Sequence, residues 1–232
     1  MTTPRPSTSP LRPTRGLLRP TIVTTLLVLL VLVQARAGDP VETWLGFGGK
    51  TAINQRLTAV YLVESKFRDD LDFRYQDYVD LGVSYQLGEH WSVAPVYRHI
   101  RTRAAPAGAW THVYNPLPTL NWQDTVGGWK LGWRNQLDIQ LWDGSADKTT
   151  WRSRVMAMPA MSDETRWQPY VNNEFFFDDR TRRWSQNRAF LGTYYTLDGH
   201  WKLEAYIGYK SDWRAGHWQQ TRMTGARACL SF

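Results

Sequence analysis

Basic and acidic side chains fall at every second position along a series of extended segments, and they are the residues with chemistry to offer. Arg56, Lys66, Arg74, Arg98, Lys130, Arg134, Arg152, Arg154, Arg188, Lys202, Lys210 and Arg227 share the polar side of this alternation with Glu64, Asp80, Asp138, Glu174, Glu204 and Asp212. A guanidinium fork matches a carboxylate in shape and charge, and ions withdrawn from water need partners. The set therefore reads first as a network of paired ions filling a narrow interior. Arg98, Arg134, Arg152, Arg154, Glu174 and Arg188 are its candidate lining residues. Bases outnumber acids, so the second reading is a basic passage that attracts anionic solutes such as acidic oligosaccharides.

Nucleophilic chemistry is poorly supplied. The five His are His90, His99, His112, His200 and His217. Ser211 near His217, with Glu204 or Asp212 to orient the ring, is the arrangement that would suit a membrane-embedded lipid hydrolase. It is the weakest of the three readings. No Gly-x-Ser-x-Gly or His-Glu-x-x-His pattern occurs. A single Cys, Cys229, excludes a disulfide framework and a multi-cysteine metal site. The acids of Phe176-Phe177-Asp178-Asp179 read as a solvated rim. The expectation is a protein that is not an enzyme and carries neither cofactor nor metal.

The elements that must position these ions are strands. In residues 73–87, Phe73, Tyr75, Val79, Leu81, Val83, Tyr85 and Leu87 alternate with Arg74, Gln76, Asp80, Gly82, Ser84 and Gln86, Asp77 being the one charge on the apolar side. Neighbouring side chains of a strand point to opposite faces, so this segment separates two unlike environments. Residues 55–67, 129–142, 186–197 and 201–212 repeat the pattern, and 44–52, 91–101, 117–126, 149–159, 167–178 and 218–232 show it more weakly. Gly88-Glu89-His90, Gly127-Gly128 and Asp198-Gly199-His200 are tight hairpin chemistry. Longer connections are expected at 102–116, 143–148 and 179–185. Long strands joined by alternating short and longer connections describe an up-and-down barrel.

The first 37 residues differ from the rest. They hold Arg5, Arg12, Arg15, Arg19 and Arg36, with no acid and no aromatic residue. The apolar run from Thr21 to Val33 is shorter than the roughly 20 residues a spanning helix needs. It ends at Ala35-Arg36-Ala37, a small-x-small site. This is the layout of a cleaved secretory signal peptide, 1–37, ahead of a barrel domain, 38–232. The formal charge of +7 comes from 28 Lys and Arg against 21 Asp and Glu. Five of those bases lie in 1–37, so the mature chain carries only +2. The nucleic-acid reading loses its main support with them.

A soluble barrel hides its apolar face, whereas a transmembrane barrel turns it toward lipid and keeps a polar lumen. Strand length favours the second, since spanning takes about 9–11 tilted residues. The aromatics agree: 13 Trp, 11 Tyr and 8 Phe make up 14% of the chain. Trp91, Trp129 and Trp201 each open a strand after a tight turn, and Tyr97 and Tyr209 stand toward the other ends. That is the expected placement of membrane-interface girdles. The terminal Phe232, closing an alternating strand, resembles the signal that outer-membrane barrels present to their assembly machinery.

Tyr97-Arg98-His99, Arg134-Asn135, Trp151-Arg152-Ser153-Arg154, Tyr170-Val171-Asn172-Asn173-Glu174-Phe175-Phe176 and Asn187-Arg188 together resemble the bacterial outer-membrane barrels grouped as domain of unknown function 2490. The resemblance covers roughly 44–232. The Tyr-Val-x-Asn-Glu-Phe-Phe strand with the following Asn-Arg is its most specific part. It implies a location and a shape, and it lends no catalytic residues. The expected fold is all-β, a transmembrane antiparallel up-and-down β-barrel of about ten strands, twelve being the alternative. Eleven segments alternate, but a closed antiparallel barrel needs an even number, which leaves 44–52 out of phase. The expected protein is a monomeric, porin-like barrel of a Gram-negative outer membrane, structural in role, with membrane lipid and the assembly machinery as partners.

Overall fold

The computed structural model describes residues 41–69, 71–143, 146–162 and 165–232. The segment read as a signal peptide lies outside them. Eleven strands form a closed barrel in these described residues. They are β1 (Val41–Ala52), β2 (Leu57–Arg68), β3 (Phe73–Gln86), β4 (Trp91–Thr102), β5 (Thr111–Val126), β6 (Trp129–Trp142), β7 (Lys148–Pro159), β8 (Trp167–Asp178), β9 (Arg183–Thr196), β10 (Trp201–Arg214) and β11 (His217–Ser231). Every alternating segment of the sequence is a wall strand.

Each strand pairs antiparallel with its neighbours in the chain, and the barrel closes by pairing β1 with β11 in parallel, from Val41 opposite Arg222 to Lys50 opposite Ser231. Strand direction reverses at every hairpin, so with eleven strands the first and last run the same way. A parallel seam is the only way such a count can close. The even-number expectation therefore gives way at β1, which joins the wall. Bonds from Ala52 N to Phe232 O (2.8 Å) and from Phe232 N to Lys50 O (3.0 Å) extend the seam to its end.

At one rim β2 leads to β3, β4 to β5, β6 to β7, β8 to β9 and β10 to β11; at the other β1 leads to β2, β3 to β4, β5 to β6, β7 to β8 and β9 to β10. Gly88, Gly127 and Gly199 share the second rim, as their hairpin chemistry suggests. Gly127 and Gly128 have φ of 58° and 79°, the left-handed pair that a two-residue hairpin needs to match strand twist. Ala215 and Gly216 repeat this geometry on the first rim, with φ of 49° and 86°.

Two local details depart from simple alternation. The connection expected over 102–116 is shorter, because β5 begins at Thr111 and carries Pro116 and Pro118 within it. Proline cannot donate to a ladder. The β5–β6 pairing is accordingly interrupted between Tyr114–Leu141 and Thr119–Gln136, and resumes in the same register. A side-chain bond bridges the gap, Asn115 Nδ2 donating to Asp138 Oδ1 at 2.5 Å. In the second case, the β2–β3 register shifts so that Tyr75 is an extra residue between the Lys66–Gln76 and Phe67–Arg74 pairs. This bulge carries Phe73 and Tyr75 into the buried interior and turns Arg74 to the outer wall beside Asp77, 3.6 Å away. The expectation that Arg74 joins the interior ions is corrected by that extra residue.

The two faces have opposite character. Outward positions are apolar and exposed, Leu81 at 59% and Leu191 at 55%, whereas the interior holds Glu64 at 1% and Glu174 at 3%. An apolar exterior around buried ions inverts the order of a water-soluble barrel and suits a bilayer.

Candidate functional site in the barrel lumen

The interior ions gather into a belt near mid-barrel. Glu174 on β8 is a hub: Arg134 from β6 donates to it at 2.6 Å, Arg152 from β7 at 3.1 Å, and Arg188 from β9 lies at 3.8 Å. Arg152 reaches on to Asp138 at 3.2 Å. Arg98 on β4 forks onto Asp80 on β3 through two bonds of 2.6 and 2.7 Å. On the other side, Arg227 of β11 spans Glu204 at 3.0 Å and Glu64 at 2.8 Å. Lys210 donates to Glu42 at 2.5 Å and lies 3.6 Å from Asp212. These bonds link strands that are not all neighbours, which is possible only on the concave side of a closed sheet.

Aromatic rings pack between the ions. Trp44, Tyr170, Tyr206 and Met223 form a buried cluster flanked by Phe190, Tyr194, Met156 and Met158. Tyr170 donates to Glu204 at 2.5 Å and Tyr78 to Glu64 at 2.7 Å, so the phenols use carboxylate lone pairs that the bases leave open. Glycine makes room for them. The Tyr206 ring lies on Gly225 and the Tyr170 ring on Gly192, with no space for a Cβ at either position. The ammonium of Lys66 sits 3.9 Å from the Trp44 ring centroid, a favourable place for a buried cation.

Two cavities meet the belt from opposite rims. One, of about 650 Å³, is lined by Lys66, Arg98, Asp138, Lys148, Arg152, Asp178, Arg188 and Asp212 among others. The other, of about 720 Å³, is lined by Lys130, Arg134 and Arg154 within and by Glu89 and Asp124 toward the mouth. Glu174 lines neither cavity; it lies between them. Among the described residues, no group of three or more His, Cys, Asp or Glu side chains is placed to hold a metal ion.

All six candidate lining residues lie on the inner face, and five of them are ion-paired; Arg154 faces the second cavity with no carboxylate within ion-pair distance among the described residues. Sequence reading missed Glu42 and Lys148, and Asp178, read as a solvated rim acid, is buried. Lys148 and Asp178 pair at 2.7 Å at the first rim. Glu42 stands two residues before Trp44 on the inner-face parity of β1, and extending that weakly alternating segment would have found it. Ser211 and His217 are not brought together: Ser211 is opposite Gln220, and the His217 ring contacts Ala215 O (3.3 Å) and Gln219 Nε2 (3.2 Å).

Trp91, Trp129 and Trp201 all face outward at the second rim, with Trp122 opposite Trp91. Tyr97 and Tyr209 also face outward, five residues inside the other ends of their strands. The aromatic band nearer the first rim consists of Trp151, Phe175, Phe177 and Trp184, packed at centroid distances of 5.5–6.0 Å, together with the Trp213–Trp218 pair at 5.5 Å. Phe232 ends the chain at the second rim, its ring 5.0 Å from that of His200.

Several solved structures are similar at low identity. A NanC porin is 12% identical with a TM-score of 0.47, over 78% of this chain and 90% of that one. An anion-selective porin from Comamonas acidovorans is 12% identical with a TM-score of 0.39, over 76% of this chain and 54% of that one. Outer-membrane expressed OmpT of Vibrio cholerae is 14% identical with a TM-score of 0.39, over 69% and 56%. Among curated proteins, none matches this sequence. The family described as "Protein of unknown function (DUF2490)" matches residues 41–221, well over half of the chain, and the protein belongs to that family.

Proposed function

We propose that this chain is an integral outer-membrane β-barrel with a structural role, its lumen closed midway by the ion-paired belt. The apolar outer wall between aromatic bands supports the membrane assignment, since closed barrels are the β-structures that satisfy every backbone group in lipid. One observation carries the closed lumen: Glu174 gathers Arg134, Arg152 and Arg188 between two cavities that approach from opposite rims. Export through a signal peptide at 1–37, assembly by the barrel-folding machinery and a monomeric state belong to the same reading.

A second reading, a small channel for anionic solutes, is favoured by the cavity that holds Lys130, Arg134 and Arg154. These donors would suit carboxylates of acidic sugars. Planar-bilayer recording separates the two. A structural barrel gives no steady current, and Glu174→Gln, which removes the carboxylate that three arginines share, introduces an anion-preferring one. A steady anion-preferring current from the unaltered protein, changed by Arg154→Gln, would replace the first reading by the second.

A further inference from the structure

A charged patch on the outer wall at the first rim departs from the apolar exterior. The bulge at Tyr75 turns Arg74 outward on β3. Arg101 faces outward near the end of β4, and Arg103 follows in the connection to β5. Their guanidinium carbons lie 5.7, 4.9 and 4.8 Å from the ring of Trp110. One carboxylate lies among the three bases and faces two of them. Asp77 accepts from Arg101 Nε at 2.7 Å and from Ser65 Oγ at 2.6 Å, and Arg74 Nε lies 3.6 Å away. Arg103 pins the connection to the wall by donating to Arg74 O at 2.9 Å and Pro106 O at 2.6 Å.

We propose that this patch binds the phosphate of a membrane lipid headgroup. Three features converge on that ligand. Asp77 orients Arg101 through Nε, and the terminal amino groups of Arg74 and Arg101 have no hydrogen-bond partner among the described residues; paired terminal N–H groups match phosphate oxygens. Trp110 marks the depth, since indole rings favour the boundary between headgroups and acyl chains. The patch continues directly into exposed apolar wall at Val79, Leu81 and Tyr97, at 39, 59 and 44%. A phosphate bound here would have its own acyl chains lying against that wall. A soluble anion would gain nothing from the wall, so the lipid is the occupant that uses the whole surface. The proposal rests on the barrel's lying in a bilayer.

The test uses the full chain in detergent micelles, with native mass spectrometry counting bound phosphatidic acid against bound diacylglycerol, which has the same acyl chains and no phosphate. The expected result is selective retention of phosphatidic acid, weakened about tenfold in Arg74→Gln/Arg103→Gln, which removes two of the three charges. Arg101→Gln is the second variant, should the double substitution fail to fold, and it is expected to weaken retention similarly. Both variants are checked for insertion into phosphatidylcholine vesicles. Equal retention of the two lipids, or retention unchanged in folded variants, overturns the proposal alone. Displacement of the lipid by inorganic phosphate at equal concentration shows a free-anion site and overturns it too. Failure of the unaltered protein to insert into vesicles overturns the bilayer reading and the proposal with it.

Discussion

Glu174→Gln is the most informative single substitution. The Glu174 side chain is 5% exposed and neutralises Arg134, Arg152 and Arg188 at 2.6, 3.1 and 3.8 Å. Without its charge, those three guanidiniums keep only Asp138, at 3.2 Å from Arg152. Removing one partner from a buried ion pair costs about 3–5 kcal/mol. Arg134 and Arg188 are 25% and 16% exposed, so cavity water screens part of their charge and places the expected loss near about 3 kcal/mol. Arg152, at 7%, has no such relief. Urea unfolding of protein folded in phospholipid vesicles measures the loss, followed by tryptophan fluorescence and by heat-modifiable migration. Glu89→Gln, at a side chain 87% exposed, serves as a control and leaves the midpoint unchanged. Arg134→Gln in the same background costs less than the sum of the two single substitutions, because the residues touch. A Glu174→Gln loss below about 1 kcal/mol, or strict additivity with Arg134→Gln, would refute the hub.

Two further predictions concern the turns. Ala215 sits at φ 49° in a two-residue hairpin, where a Cβ crowds the following carbonyl, so Ala215→Gly is expected to stabilise the barrel by about 1 kcal/mol. An unchanged or lower urea midpoint would contradict this. Asp198 accepts backbone bonds from His200 N and Trp201 N, both at 2.8 Å, which hold its carboxyl below the ordinary 3.8. Its folded pKa is depressed, so its contribution is present above pH 3.8 and is lost as pH falls through the lowered value. The difference in urea midpoint between the unaltered protein and Asp198→Ala should therefore be full at pH 6 and shrink below pH 3.8; a pH-independent difference would count against the assignment.

Much of this architecture is local and could be read along the chain. Leu131, Trp133, Leu137, Ile139 and Leu141 alternate with Lys130, Arg134, Gln136, Asp138 and Gln140 in β6, and period two admits only one arrangement of such residues, a strand between unlike media. Gly127-Gly128 is legible for the same reason, since two adjacent glycines meet the left-handed angles of a tight hairpin at no steric cost. Arg98, Arg134, Arg152, Arg154, Glu174 and Arg188 were placed on the inner face by parity alone. Parity breaks where a residue is inserted. The bulge at Tyr75 depends on how β2 and β3 slide together, and it sends Arg74 to the outer wall.

Sequence alone determined the strands, the polarity of their two faces, the outward tryptophans of the second rim and the surplus of inward bases, because each depends on residues a few positions apart. Tertiary structure decided the closure and the pairings. Whether β1 joins the wall cannot be read from β1; it depends on a parallel seam with β11, formed after every intervening strand has taken its register. Lys210 and Glu42 are 168 residues apart, and only the closed barrel makes them partners. Glu174 likewise became a hub because β6, β7 and β9 curve around β8 and aim three arginines at one carboxylate, a convergence that a flat sheet would not produce.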